Sequence, residues 1–500
     1  MKQFLIIPLG GLGTRFTKAG YKTYKPFLKI SPNTRIIDNI VANFPSKQTK
    51  IIFICNEKKY EYIKKTFNRK NTTFIKIKNH KLGPIQSLYL ARQELKNLIK
   101  NNKFFVSYSD INWKWNYNSS KNFLKNKKVV ILSHTGFHPH LEINPKSDFF
   151  LSNKKEEVIK VSKKKTITEN YQKNYLAIGC YYFKNFEYFE DYFNTKKIKE
   201  RNKEKETYLI DFLNFCLKKK IKINHLKIEK FVHLGDPYQY ENFILWKNTL
   251  GDNFIKSMKL KKYESVMLMA GKGRRVKNLK EKKPFLKIKN FKAFEYIFNK
   301  FGSNKKYIIF NKNSSNLISR KYLRIKIKRT NSMLQTIEKS LDYIKDLSKF
   351  FILSCDCVGS FEKKKFENFL KINNPDIVLF AFDISKIQKN MKNAHTTINL
   401  KKNTLISSIQ VKKYLNKKKE LGHAGFFWVK NSNIFQYLKK FIISNKINRE
   451  ILLDDYFKFL FDKKLCKVRC YKLKEYIHFG SITEYLELRY WINYFDNENR

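Results

Sequence analysis

The chain has 500 residues, 42% of them hydrophobic and 16% aromatic, with a formal net charge of +62. That length exceeds one ordinary core and predicts two domains of about 250 residues each. The lysines are spread along the whole chain rather than gathered in a patch or stripe. The charge therefore argues for compositional drift and against a dedicated nucleic-acid binder, although it would still draw in anionic substrates. Seven cysteines at irregular spacing argue for a reducing compartment over a disulfide framework. No apolar run is long enough to span a membrane. No membrane insertion and a cytoplasmic location are expected.

In chain order, Phe4 to Ile7 predicts a short buried strand that runs straight into a glycine turn, Leu9-Gly10-Gly11-Leu12-Gly13-Thr14-Arg15. The opening seven residues loosely imitate a signal peptide, but their apolar stretch is too short for one. Lys25-Pro26-Phe27-Leu28-Lys29-Ile30 follows. Ile51 to Cys55 predicts a second strand, Ile85 to Ile99 a helix, and Phe104 to Asp110 a third strand ending in a carboxylate. Alternating strands and helices predict an α/β fold with a largely parallel sheet.

The same order recurs later. Val266 to Met269 predicts a strand, followed by Met269-Ala270-Gly271-Lys272-Gly273-Arg274-Arg275 and Lys283-Pro284-Phe285-Leu286-Lys287-Ile288. Tyr307 to Phe310 and Phe350 to Asp356 predict the second and third strands of this half. Gly179 pairs with Gly425, Glu206 and Asp211 with Glu450 and Asp455, and His233 with His478. Ordered matches of this kind indicate a tandem duplication, with domains at 1–252 and 260–500.

A strand followed by Gly10-Gly11-Leu12-Gly13 lets the backbone pass close to a ligand, with successive N–H groups aimed at anionic oxygens. Arg15 adds a planar fork suited to phosphate and Lys25 a point charge. The turn lacks P-loop spacing, and Phe16 stands where a dinucleotide fingerprint needs its third glycine. Asp110, at the carboxyl end of a strand, can hold Mg²⁺ beside a triphosphate.

These residues resemble the nucleotidyltransferase family that activates sugar phosphates and related compounds. Its G-G-x-G-T/S-R turn and K-P pair are filled by Gly10, Gly11, Gly13, Thr14, Arg15, Lys25 and Pro26. The resemblance implies two tandem Rossmann-like, GT-A-type domains, the first active and the second divergent. It implies transfer of NMP from an NTP to a sugar 1-phosphate or phosphorylated alcohol, with pyrophosphate released, in bacterial surface polysaccharide synthesis.

Under that resemblance Gly10, Gly11, Gly13 and Thr14 would hold the triphosphate. Arg15 would stabilise pyrophosphate and Lys25 would meet the α-phosphoryl or acceptor phosphate. Gly83 and Gln86 lie in the loop that approaches the base. Lys164 and Gly179 belong to the acceptor pocket. Asp110 would coordinate Mg²⁺.

Two departures stand out. His233 occupies the place of a second metal carboxylate, which suggests phosphate contact or a softer ion such as Mn²⁺. Lys163 replaces the acidic residue before the acceptor lysine, which argues against standard hexose recognition.

In the second half Gly271, Gly273, Arg275, Lys283, Asp356, Lys412, Gly425 and His478 remain, but Ala270 replaces the first glycine and the base loop has lost its own. Competing readings are a glycosyltransferase, with Asp110-Ile111-Asn112 as an incomplete D-x-D motif, and a non-catalytic basic binding protein. The partners expected are an NTP and a phosphorylated sugar or alcohol, with no nucleic acid. An oligomer is compatible with all of these readings.

Overall fold

The computed structural model describes residues 3–143, 145–195, 206–251, 254, 256–272, 279, 281–384, 395–414, 420–444 and 450–496. The chain divides into two compact units, Met1–Asn248 with Asn493–Arg500, and Thr249–Ile492.

In the first unit the sheet is built on Gln3–Leu9, which pairs in parallel with Thr49–Asn56 on one side and Phe104–Ser107 on the other. Thr72–Ile77 extends the parallel set beyond Thr49–Asn56. Tyr175–Phe183 closes against Phe104–Ser107 in the antiparallel sense, and Val129–His134 and then Ile223–Lys227 follow it.

The central strands read as continuous apolar runs because both faces are covered. Phe4 and Ile6 join Ile52, Ile54, Phe104 and Val106 in one cluster with the helical residues Ile85, Leu88 and Leu95. Leu5 and Ile7 alternate to the opposite face and are also fully buried. Each such aliphatic side chain contributes about 2 kcal/mol by burial. The single helix expected over Ile85 to Ile99 is two, Pro84–Leu90 and Arg92–Ile99. Between them Ala91 takes φ −89°, ψ 2°, outside the helical well, while staying buried in the core.

The second unit repeats this order strand for strand. Leu323–Ile327, Lys306–Asn311, Glu264–Leu268 and Ser348–Ser354 form its parallel set. Leu421–Asn431, Ile377–Phe382 and Val468–Lys472 complete it. Each unit is thus a Rossmann-like, mostly parallel mixed sheet flanked by helices. Identical strand order in two units is what duplication of one domain produces.

Each unit also has a small antiparallel ribbon that positions chemistry. Ile111–Lys114 pairs with Lys230–His233, placing His233 opposite Ile111 and next to Asp110. Cys357–Ser360 pairs with Glu475–His478, placing His478 opposite Cys357.

Candidate active site

A cavity of about 580 Å³ lies at the carboxyl ends of Gln3–Leu9 and Phe104–Ser107. The backbone of residues 8–14 forms one wall. Gly13 adopts φ 68°, ψ 26°, a left-handed conformation that glycine takes without strain. The Tyr24 hydroxyl donates to the carbonyls of Leu9 (3.1 Å) and Gly11 (2.8 Å), pinning the first part of the turn.

Across the cavity the Lys25 ammonium donates to Asp110 Oδ2 at 2.9 Å. The two side chains are only 17% and 23% exposed, so this pair is far less screened than a surface bridge. Burial opposes ionisation of Asp110, yet Lys25, then His233 and Arg15, hold its carboxyl below the usual carboxylate range. Leu234 N–H binds the Asp110 carbonyl at 2.7 Å, and Gly235 lies against the carboxylate, where a Cβ would stand 3.2 Å from Oδ2.

Of the residues singled out in the sequence, Gly10, Gly11, Gly13, Thr14, Lys25, Gly83 and Asp110 line the cavity. Arg15 sits on the exposed helix Thr14–Lys18, and its charge reaches both Asp110 and Tyr208. Gln86 is on the helix Pro84–Leu90, whose Ser87 lines the cavity. Gly179, at φ 95°, lies behind the cavity-lining Tyr108. Its carbonyl accepts the Tyr108 N–H at 2.8 Å, and a Cβ there would stand 2.8 Å from the Tyr108 ring.

The two adjacent lysines separate. Lys163 Nζ is held by Asp211 Oδ2 and the Glu206 carbonyl, each at 2.7 Å. Lys164 Nζ donates to the Tyr208 hydroxyl at 2.9 Å and lies 3.6 Å from Glu206 Oε2, and both of those residues line the cavity. His233 packs against Phe231 and His138, with ring centroids 4.7 and 6.0 Å away. Its Nε2 is buried without a hydrogen-bond partner among the described residues, and burial lowers its pKa against the pull of Asp110 and Asp236.

Tyr24, His80, Ser87, Tyr108 and Tyr208 also line the cavity. Sequence reasoning gave none of them a role, although Ser87 closes the loop that carries Gly83 and Gln86. Glu206, also in the lining, was visible only as a position repeated at Glu450.

Among the described residues no group of three or more His, Cys, Asp or Glu side chains could hold a metal ion. Asp110 offers one partly exposed carboxylate facing a cavity sized for a substrate. That fits Mg²⁺, which is bound through one or two carboxylates plus substrate phosphates.

The second unit keeps the central pair. Lys283 Nζ donates to Asp356 Oδ2, and Ser354 donates to Oδ1. His478 Nε2 lies 3.7 Å from Asp356 Oδ2, while its Nδ1 meets Glu484 at 2.6 Å. Burial opposes the ionisation of Glu484, but His478 and then Ser481 hold it down to about 2. Lys412 and Gly425 have positive φ, as Lys164 and Gly179 do. Gly271 forms a parallel bridge with Thr330, whose N–H donates to the Ala270 carbonyl at 3.2 Å. Gly273 and Arg275 lie outside the described residues.

A family model described as Nucleotidyl transferase matches residues 5–223. The match falls on the half of the chain that carries the Gly10–Thr14 turn, Lys25 and Asp110. Solved structures similar to this chain include a nucleoside-diphosphate-sugar pyrophosphorylase from Vibrio cholerae RC9, at 18% identity and TM-score 0.38, covering 48% of this chain and 99% of that one. A UTP-bound UGPase from Acinetobacter baumannii matches at 15% identity and TM-score 0.39, over 50% and 95% of the two chains. An inositol-1-phosphate CTP transferase from T. maritima matches at 14% and 0.36, over 47% and 96%. No curated protein matches the chain. Among the described residues no helix is long and apolar enough to cross a membrane.

Proposed function

We propose that the first unit transfers a nucleoside monophosphate from an NTP to a phosphorylated sugar or alcohol and releases pyrophosphate, supplying an activated precursor for polysaccharide assembly in the cytoplasm. The observation that carries this reading is the Lys25–Asp110 pair facing the Gly10–Thr14 turn across one cavity. A phosphate oxygen of the acceptor attacks the α-phosphorus. A new P–O bond forms there, the bond to the bridging α–β oxygen breaks, and that oxygen leaves on pyrophosphate. Such displacement needs positioning and charge neutralisation more than a protein nucleophile.

The turn's backbone would hold the triphosphate and Arg15 the departing pyrophosphate. Lys25 would meet charge developing at the α-phosphoryl group. Lys164, aimed at Tyr208 and Glu206, would meet the acceptor phosphate at the far end. Asp110 would hold Mg²⁺, or Mn²⁺ with His233 nearby, and the bound ion would supply neutralisation of the phosphate oxygens. The glycosyltransferase alternative loses its motif, because Asn112 is 3% exposed within the strand Ile111–Lys114 and does not line the cavity.

The test is pyrophosphate release from each of four NTPs against a panel of sugar and alcohol phosphates. Arg15→Ala should lower the rate about a hundredfold, in the range for loss of a preorganised charge contact. An Arg15→Ala protein with wild-type turnover would sink the assignment of that residue, and no turnover with any acceptor would sink the function.

In the second unit the backbone bridge between Gly271 and Thr330 draws the base loop onto the turn. Its counterpart Lys81 in the first unit lines the open cavity. We infer that turnover belongs to the first unit. Asp356→Asn should keep pyrophosphate release within about twofold of wild type, and a loss comparable to that of Asp110→Asn would show that both units work.

A further inference from the structure

The first unit's sheet ends on Thr72–Ile77 and the second unit's on Leu323–Ile327. Leu323–Ile327 pairs in parallel with Lys306–Asn311 and has no second strand partner among the described residues. Its outer N–H and C=O groups are thus open to another extended chain.

Averaged over the chain, Lys and Arg make up 104 of 500 residues. On this edge they are six of the ten residues 320–329: Arg320, Lys321, Arg324, Lys326, Lys328 and Arg329. Aligned on Ile75-Lys76-Ile77-Lys78 with Ile325-Lys326-Ile327-Lys328, the matching stretch of the first unit is 70–79 and holds three. The second unit has Lys321, Arg324 and Arg329 where the first has Asn71, Phe74 and Asn79. Compositional drift raises charge everywhere. It does not double it on one of two equivalent edges.

The alternation of the strand sorts these charges. Ile325 is buried in the core cluster and Ile327 packs against it. Arg324, Lys326 and Lys328 are exposed and project to the other side, roughly 6.8 Å apart. The Arg324 guanidinium is fixed by donating to the Ser315 carbonyl at 2.9 Å and the Ser315 hydroxyl at 2.8 Å. Among the described residues no carboxylate pairs with any of the six cations. Crowding of positive charge reaches the neighbouring strand, where burial and then the charge of Lys321 lower the pKa of Lys306.

The chemistry of the edge selects its occupant. Like charges oppose pairing with a second copy of the same edge. Tyr322, the one aromatic residue in the stretch, is 6% exposed, so no ring is offered for stacking a nucleobase. An extended chain with a carboxylate at every second residue repeats at the same spacing and also satisfies the open backbone groups. We propose that this edge of the second unit docks an acidic, extended segment of a partner protein, which adds as a strand beside Leu323–Ile327 and sets its carboxylates against Arg324, Lys326 and Lys328. Docking here does not require nucleotide turnover by the first unit.

Fluorescence anisotropy of the full chain with a labelled peptide that alternates Glu with Thr tests it. Lys326→Ser combined with Lys328→Ser should weaken the peptide about tenfold, the scale of two lost cross-strand charge pairs. Lys76→Ser combined with Lys78→Ser, on the edge of the first unit, should leave it essentially unchanged. N-methylation of alternate peptide nitrogens keeps the charge but blocks strand pairing, and should also weaken binding about tenfold. Equal losses from the two lysine pairs would mean general attraction to a basic chain. Unchanged binding of the methylated peptide would mean charge contact without strand addition. An oligothymidylate of equal charge that binds more tightly, and is lost with Lys326 and Lys328, would make the edge a nucleic-acid surface. Each of these three results, or no peptide binding by the wild-type chain, overturns the proposal.

Discussion

An Asp110→Asn protein should lose about a thousandfold or more in pyrophosphate release while keeping its fold. The carboxylate accepts from Lys25 at hydrogen-bond distance, and the charges of Arg15 and His233 also act on it. Asparagine keeps the shape, and the backbone bond from Leu234 N–H to the residue's carbonyl at 2.7 Å does not depend on the side chain. What is removed is the negative charge, and with it the anchor for a divalent cation between the protein and the phosphates. Loss of a preorganised electrostatic contact costs about a hundredfold to a thousandfold, and loss of a metal anchor adds to it. The melting temperature should move by no more than a few degrees, because the site is partly open and Lys25 can turn toward water. Parallel measurements of turnover and thermal unfolding check this. A fully active variant would remove Asp110 from the mechanism.

Gly83→Ala should have the largest effect on stability. Gly83 has φ 85°, ψ 179°, a region open essentially to glycine alone, where an alanine costs on the order of 1–3 kcal/mol in backbone strain. A Cβ there would also stand 2.5 Å from the Thr207 carbonyl oxygen and 3.1 Å from its nitrogen. That backbone has no room to yield, because Thr207 N–H donates to the Leu82 carbonyl at 2.8 Å and Ile85 N–H binds the Thr207 carbonyl at 3.3 Å. Together the two effects should cost about 3–5 kcal/mol. For a domain of this size that lowers the melting temperature by roughly 10 °C. Differential scanning calorimetry would show it, and an unchanged transition would mean that this loop is not held against Thr207.

The same residue shows how far the sequence could be read. Gly83 was legible as a glycine that something approaches closely. The approaching group that the structure shows is the Thr207 backbone, and chain order alone says nothing about a contact 124 positions away. In the second half Ser332 occupies that place without penalty, because the loop there is extended (φ −141°) and the serine caps Met333–Glu338 instead.

The strands, their order and the duplication were readable because each rests on local pattern: apolar runs covered on both faces, and motifs repeated in sequence. Asp110 was readable for the same reason, as a carboxylate closing an apolar strand. Tyr24 was not, since its place rests on hydrogen bonds to the Leu9 and Gly11 carbonyls of the turn. His80 and Ser87 were not, since it is the fold of their own loop that pairs them and sets them against Gly10. The separation of Lys163 from Lys164 likewise comes from tertiary partners, Asp211 for one and Tyr208 for the other.

The most direct test of the central claim follows the α-phosphorus. With an NTP labelled at that atom, a divalent cation and a phosphorylated acceptor, the label should move into a nucleoside-diphosphate-linked product. One unlabelled pyrophosphate should appear for each transfer, only when acceptor is present and not with Asp110→Asn. Label recovered only as free NMP, or pyrophosphate formed equally well without acceptor, would contradict the account.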